Sequence, residues 1–176
     1  MSRTASPIVI EDYDPEWPVS FNELATRLLT GLGRIALRVE HIGSTAVTGL
    51  AAKPIIDLDV VVARQVDLST LIRRLGVLGY VHQGDLGIPG REAFHIEPNE
   101  PRHHLYALVE GTAELARHLM FRDALRANIA LGDRYVAIKR SLAAVHGSNR
   151  AAYAQAKQTF IEGVLERTSA VSGRLA

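Results

Sequence analysis

Residues 39–47 read VEHIGSTAV, and residues 53–60, after a short spacer, read KPIIDLDV. The first segment predicts a strand that runs into a Gly43-Ser44 turn. The second predicts a buried strand, rich in Ile and Val, that carries Asp57 and Asp59. Because the two aspartates are two residues apart, their side chains point to the same face of the strand. Two like charges on an apolar strand repel each other and are costly to desolvate. A bound divalent cation would offset both the repulsion and the desolvation cost.

The Gly43-Ser44 turn suits a phosphate group. Glycine lets the backbone approach a phosphate closely, and Ser44 adds a hydroxyl and an N–H at the start of a short helical insert. Magnesium accepts carboxylate and phosphate oxygens together, so the turn and the aspartate pair would serve one pocket. Each feature alone is more often a plain turn or a solvated face. The order of the two features along the chain is more specific for a binding site than either feature alone.

Outward from these segments, the hydrophobic pattern predicts a mixed sheet followed by helices. Apolar residues three and four apart predict a helix over residues 15–32. The same reasoning predicts strands at 35–42 and 54–63, a helix at 68–78, a short strand from 80, a strand pair at 92–97 and 104–109, and helices at about 112–128, 133–145 and 149–167. The small, polar residues 168–176 are predicted to be frayed. We therefore predict one α+β domain over residues 1–176, with the sheet in about 8–110 and a helical C-terminal subregion in about 112–168.

The composition argues against several classes of protein. A formal net charge of +1 and few aromatic residues argue against a nucleic-acid or anionic-membrane partner. The absence of cysteine excludes disulfides, thiol catalysis and cysteine-ligated zinc, and is compatible with the cytoplasm, which is the expected location. Residues 1–7 lack the apolar run of a signal peptide, and no stretch approaches the roughly 18 apolar residues of a transmembrane helix.

The motif resembles the signature of the nucleotidyltransferase superfamily, whose fold is polymerase-β-like: a Gly-Ser pair followed by two acids two residues apart. The amino-acid sequence resembles one branch of this superfamily, the GrpB family, in five segments. They are HIGSTAVTGL (41–50), KPIIDLD (53–59), FRDALR (121–126), YVAIK (135–139) and YAQAK (153–157). The resemblance extends from YDPEW (13–17) to about residue 165. In some proteins this family's domain is fused to a dephospho-coenzyme A kinase, but this chain lacks the phosphate loop that such a kinase needs.

The resemblance implies a magnesium- or manganese-dependent transfer of a nucleoside monophosphate from a nucleoside triphosphate to a small acceptor. Asp57 and Asp59 would be the catalytic carboxylates and hold two metal ions. The superfamily usually adds a third carboxylate from a later strand. The strand expected here offers His104 or Tyr106 at that place, with Glu110 only at its end. This departure keeps open an alternative function, a non-catalytic module of the same fold that binds a nucleotide or phosphometabolite.

Three lysines are candidates for binding phosphate. Lys53 precedes a proline, which favours an extended backbone, and it would reach a phosphate near Gly43. Lys139 and Lys157 each follow a tyrosine by four residues, and in related folds residues of the C-terminal helices contact the triphosphate. The alternative for each is a surface or snorkelling lysine.

Further candidates surround the predicted pocket. Arg91 and His104 belong to a basic rim near the strand pair, which suits an anionic substrate, although such a hairpin is often only solvated. Arg122 lies on one helix face with Arg126, and Asp123, one position round the helix, is not expected to neutralise it. His41, just before the Gly-Ser turn, is interpreted as a buried, hydrogen-bonded residue, with direct substrate contact as the alternative.

Overall fold

The computed structural model describes residues 7–147 and 149–172, and the expectations for residues 1–6 and 173–176 lie outside this range. Five strands form one mixed sheet in the spatial order β1-β2-β5-β4-β3. The strands are Arg38–Ile42 (β1), Ile56–Val62 (β2), Val81–His82 (β3), Arg91–His95 (β4) and His103–Val109 (β5). β2 and β5 run parallel, and the other neighbouring strands are antiparallel.

Within the described residues, five α-helices surround the sheet. They are Glu16–Leu32 (α1), Leu68–Val77 (α2), Ala113–Ala127 (α3), Ile129–His146 (α4) and Arg150–Ser172 (α5). The mixed sheet and the three consecutive helices after it confirm the predicted α+β class with a helical C-terminal region. None of the helices within the described residues is long and apolar enough to cross a membrane.

The two faces of the sheet have different neighbours because side chains alternate along β2. Leu58 and Val60 point to one face and join the main core with leucines of α1 and α2. Val61 points to the other face, where it packs with Leu108 of β5 and Leu115 of α3. Asp57 and Asp59 share this second face, so α3 and the helices after it decide what surrounds them.

The helices α3, α4 and α5 form a second cluster that encloses the segment after the Gly-Ser turn. Val47 and Leu50 from that segment are buried with Phe121 of α3, Tyr135 of α4 and Val164 of α5. The C-terminal helices are therefore packed directly on the corner that the sequence singles out. This contact brings residues from the end of the chain to a site that is built near its beginning.

Three element boundaries differ from the sequence predictions by three residues or more. β1 begins at Arg38, because Gly33–Ile35 form a 3-10 turn after α1. α4 begins at Ile129, where the Asn128 side chain accepts a hydrogen bond from the Leu131 amide at 3.0 Å and caps the helix. The prediction of a frayed end is wrong for residues 168–172, which continue α5 to Ser172.

Candidate active site

The two aspartates of β2 face the same side, as predicted, but lie in different environments. The Asp57 side chain is 28% exposed, whereas that of Asp59 is 0% exposed. The parallel register places His104 beside Asp57 and Tyr106 beside Asp59. β5 therefore presents His104 and Tyr106 next to the aspartate pair, where the resemblance implies a third carboxylate.

Gly43 is packed against the carboxylate of Asp57. Its backbone has φ 71° and ψ −168°, a combination that residues with a side chain rarely adopt. A Cβ atom built at this position would lie 2.3 Å from Oδ2 of Asp57. Glycine is therefore required both by the turn and by the space, and the Gly-Ser turn and the Asp-x-Asp strand meet at one point.

Lys139 of α4 reaches the Gly-Ser turn from the other side. Its side chain is almost fully buried and donates hydrogen bonds from Nζ to Oγ of Ser44, at 3.1 Å, and to the carbonyl oxygen of Ala51. Nζ also lies 4.7 Å from the ring centroid of Tyr135. Burial, reinforced by the charges of Lys157 and Arg140, lowers the pKa of Lys139 to about 7. The structure thus places Lys139 beside Ser44, and its role as a phosphate ligand stays a prediction.

Lys53 and Lys157 flank the ring of Tyr153, with Nζ atoms 4.6 and 5.7 Å from its centroid. Together with Lys139 they form what we call the lysine cluster. In the described part of the chain, no carboxylate lies within ion-pair distance of these three ammonium groups. The pKa of Lys53 and the pKa of Lys157 are both lowered, mainly by burial. The Asp57 carboxylate opposes this effect but does not outweigh it. An anion bound here would relieve this uncompensated positive charge.

The buried ammonium of Lys139 leads to a pH prediction. Its pKa is about 7 in the folded protein against an ordinary value of 10.5, so the unfolded chain binds more protons between these values. Below about pH 7 the lysine lowers the unfolding free energy by its full amount. This destabilisation disappears as the pH rises toward 10.5. Lys139→Met removes the cost, so its gain in unfolding free energy over the wild type should shrink by about 1.4 kcal/mol per pH unit within that range. Urea unfolding of both proteins across these pH values measures it, and a constant difference would contradict the lowered pKa.

Asp59 belongs to a chain of charges that the sequence analysis missed. Its Oδ2 accepts a hydrogen bond from Nδ1 of His118 at 2.7 Å, and Nε2 of His118 lies 3.1 Å from Oε1 of Glu114. Burial opposes protonation of His118, but the hydrogen bonds to the two carboxylates outweigh it and raise the pKa of His118 to about 9. At neutral pH His118 is therefore an imidazolium held between two carboxylates.

The signal for this chain of charges was present in the sequence. Glu114 and His118 are four residues apart and so share one face of α3. Nothing in the local pattern shows that this face covers Asp59. Asp59 also has one buried oxygen, Oδ1, that lacks a hydrogen-bond partner among residues 7–147 and 149–172.

His104 and His41 have different roles beside the corner. Nδ1 of His104 lies 2.8 Å from Oδ1 of Asp57, and its ring is about half exposed. A carboxylate accepts hydrogen bonds, so Nδ1 carries the hydrogen and Nε2 of the neutral ring is the accepting nitrogen. His41 is buried, pairs with Oγ1 of Thr45 at 3.0 Å and stacks on Phe21, and burial lowers its pKa to about 4. The interpretation of His41 as a buried, hydrogen-bonded residue is confirmed.

Arg122 does not present an unpaired guanidinium to the pocket. Its Nη1 donates to Oε2 of Glu40 at 2.8 Å, and its Nε donates to Oδ1 of Asp123 at 2.7 Å. The prediction that Asp123 leaves Arg122 without neutralisation is wrong, because the long arginine side chain folds back onto its neighbour's carboxylate. Arg122 instead ties α3 to β1 and supports the strand that leads to Gly43.

Known proteins resemble this chain in sequence and in fold. A family model described as GrpB protein matches residues 7–167. The chain belongs to the GrpB family. A UPF0157 protein of Halalkalibacterium halodurans is 38% identical over 166 residues, which cover 93% of this chain and 83% of that protein. The crystal structure of the conserved protein GrpB from Enterococcus faecalis is 35% identical, with a TM-score of 0.81 over 91% of this chain and 96% of that one.

A more distant solved structure resembles this chain in its fold. A crystal structure of the Cid1 poly(U) polymerase with MgGTP bound gives a TM-score of 0.53 at 16% identity. The likeness covers 76% of this chain and 44% of that one, and it concerns the fold alone.

The segments that carry the GrpB resemblance converge on one corner in space. HIGSTAVTGL and KPIIDLD supply Gly43, Ser44 and the aspartates, YVAIK supplies Lys139, and YAQAK supplies Lys157. FRDALR packs behind the corner, where both Nε and Nη2 of Arg126 donate to the carbonyl oxygen of Ala46. The motifs are far apart in the sequence because the pocket is assembled from β1, β2 and the C-terminal helices.

Proposed function

We propose that this protein transfers a nucleoside monophosphate from a nucleoside triphosphate, taken with magnesium or manganese, to a small acceptor. The observation that carries the proposal is the lysine cluster beside the Gly43-Ser44 turn and Asp57. Uncompensated lysines, a backbone turn open to phosphate and a carboxylate pair suit a ligand that combines a polyphosphate with a divalent cation. Cid1 has the same fold and has been seen with MgGTP, so a nucleoside triphosphate with magnesium is the first ligand to test.

The lysine cluster would bind the triphosphate. The backbone at Gly43 and Ser44 would approach one phosphate, and Lys53, Lys139 and Lys157 would neutralise the charge that leaves with pyrophosphate. A triphosphate beside Lys139 would favour its protonated form and so offset the cost of burying it. Binding and the charge state of Lys139 are therefore coupled.

Asp57 and the unpartnered Oδ1 of Asp59 would hold the metal ion. Within the described residues, no group of three or more His, Asp or Glu side chains is arranged to hold a metal. Magnesium usually keeps several waters and needs only one or two carboxylates when substrate phosphates supply other ligands, and the two aspartates fit that role. When bound, the ion would supply Lewis-acid stabilisation of the phosphate oxygens.

The transfer step then needs a nucleophile and a base. An oxygen of the acceptor forms a bond to the α-phosphorus as the bond to the bridging oxygen breaks, and pyrophosphate leaves with that electron pair. When the nucleophile is a hydroxyl, Nε2 of His104 would accept its proton, because Nδ1 is already held by Asp57. His104 would thus act as a base at the place where the superfamily uses a third carboxylate.

Incubation of the purified protein with each of the four nucleoside triphosphates tests the proposal. Thermal shift with magnesium or manganese reports binding, and pyrophosphate release against a metabolite panel reports turnover. We expect metal-dependent stabilisation by at least one triphosphate and pyrophosphate release with an acceptor. If no triphosphate stabilises the protein with either metal, the proposed pocket is not a nucleotide site.

The alternative function is a binding module without transferase activity. It is favoured by His118, which occupies Oδ2 of Asp59, and by the absence of a carboxylate at positions 104 and 106. Triphosphate binding without pyrophosphate release under every condition would favour this alternative. In either case we propose a cytoplasmic protein whose partners are a nucleotide and a small molecule, with no nucleic-acid or membrane partner.

A further inference from the structure

Arg91, at the start of β4, has no carboxylate of the described residues within ion-pair distance, although Glu114 is near enough to interact with its charge. Its Nε is buried and has no hydrogen-bond partner within the part of the chain that the structure describes. Over the same residues its guanidinium forms neither an ion pair nor a hydrogen bond, and it lies over the ring of Tyr106, 4.4 Å from Cζ to the centroid. Arg91 itself is half-buried, but a buried N–H without a partner is costly, and a ligand that accepts a hydrogen bond from Nε would remove this cost.

The sheet order places Arg91 across the aspartate pair from the lysine cluster. β1 and its Gly-Ser turn lie on one side of β2, and β5 and β4 lie on the other. The antiparallel register between β4 and β5 puts Arg91 opposite Leu108, on the same sheet face as Tyr106 and Asp59. The pocket therefore has two cationic ends, with the carboxylates between them.

Tyr106 and His104 line the wall between the carboxylates and Arg91. The ring of Tyr106 lies 6.4 Å from that of His104 and 6.2 Å from that of His118, measured between centroids. Tyr106 and His104 bring hydrogen-bonding groups without a negative charge to this wall. A third carboxylate here would repel an anion, whereas these residues would not.

We propose that Arg91, Tyr106 and His104 form the acceptor subsite, and that the acceptor carries an oxyanion, either a phosphomonoester or a carboxylate. The planar guanidinium matches both groups because it can donate two parallel hydrogen bonds. This inference rests on the proposed function, since it assigns the triphosphate to the lysine cluster and the acceptor to the opposite end. It also gives a reason for the missing third carboxylate, which would oppose an anionic acceptor.

Nuclear magnetic resonance of the Arg91 side chain tests the subsite directly. The Nε–H signal of Arg91 is assigned by its loss in Arg91→Lys, and the protein is titrated with phenyl phosphate, benzoate and, as a neutral control, phenol. The titrations are run with and without a non-hydrolysable triphosphate analogue and magnesium, which fill the lysine cluster. We expect phenyl phosphate or benzoate, but not phenol, to shift the Arg91 signal, and the oxyanion that does so identifies the acceptor class.

Affinity measurements complete the test. Arg91→Gln should weaken binding of the active probe roughly tenfold or more, because a charge-assisted pair is lost. Arg91→Lys should lose less, and Arg73→Gln, on the exposed side of α2, should change nothing. Thermal unfolding checks that each variant is folded. An Arg91 signal that neither oxyanion moves, or an affinity that Arg91→Gln leaves unchanged, overturns the inference.

The two proposals fail separately. If the triphosphate does not bind but an oxyanion still shifts the Arg91 signal, the oxyanion subsite stands and the transferase proposal falls. If triphosphate binding and pyrophosphate release are observed but the Arg91 signal does not respond, the acceptor is held elsewhere and only the subsite is rejected.

Discussion

Asp57→Asn is expected to abolish metal-dependent triphosphate binding with little loss of stability, whereas Asp59→Asn should lower the unfolding free energy by about 3–5 kcal/mol at pH 7. Asp57 is partly exposed and bonded to the half-exposed His104, so its contribution to folding is about 1 kcal/mol or less. Asp59 is fully buried, and its removal leaves the His118 imidazolium without its nearest counter-charge. The same chemical change two residues apart therefore separates Asp57, which acts in ligand binding with little effect on folding, from Asp59, which also stabilises the fold.

The pH dependence adds a second criterion. The pKa of His118 is raised to about 9 from an ordinary value of 6.5, so its pairing stabilises the fold fully below about pH 6.5. That stabilisation is lost as the pH rises through about 9. The difference in unfolding free energy between the wild type and Asp59→Asn should therefore become smaller over this range.

Chemical denaturation and thermal shift with triphosphate and magnesium give both readouts for each variant. Asp133→Asn is the matched control, since Asp133 is exposed on α4 and has no ion pair in the described residues. Equal stability of Asp59→Asn and wild type would refute the buried ion pair. Unchanged triphosphate binding by Asp57→Asn would refute the proposed metal site.

The site was predictable from the sequence where local geometry alone decides it. The two-residue period of a strand places Asp57 and Asp59 on one face, and the four-residue spacing of Tyr135 and Lys139 places the lysine beside the tyrosine ring. The order of the Gly-Ser turn and the Asp-x-Asp strand was enough to expect their contact. These relations hold whatever the rest of the chain does.

The remainder of the site depends on how distant elements pack. His118 reaches Asp59 only because α3 lies over β2, and no local pattern encodes that placement. Among residues 7–147 and 149–172, the Nε of Arg91 has no hydrogen-bond partner because β4 joins the sheet beside β5 and places it over Tyr106. The sequence predicted Arg91 as part of a basic rim but could not show that its Nε lacks a hydrogen-bond partner, since that depends on every surrounding side chain.

Gly43→Ala is expected to lower the unfolding free energy by about 3 kcal/mol or more and to remove triphosphate binding. The backbone at Gly43 is in a region that alanine disfavours, and the new Cβ would lie 2.3 Å from Oδ2 of Asp57. The collision forces the carboxylate or the turn to move, and either movement separates the phosphate-binding backbone from the metal-binding oxygen. The corner cannot keep its geometry with any side chain at this position.

Gly49→Ala is the control within the same segment. Gly49 also has a positive φ, of 80°, but a Cβ atom there would meet no atom within 4 Å. We expect Gly49→Ala to lower the unfolding free energy by only about 1–2 kcal/mol, the cost of a positive φ at alanine, and to keep triphosphate binding. A double-mutant cycle isolates the collision, because in an Asp57→Ala background the carboxylate is gone and the cost of Gly43→Ala should fall toward that of Gly49→Ala. Denaturant unfolding of the four proteins in the cycle measures this coupling. If Gly43→Ala costs the same unfolding free energy with and without the Asp57 carboxylate, the turn itself, rather than its contact with Asp57, requires the glycine.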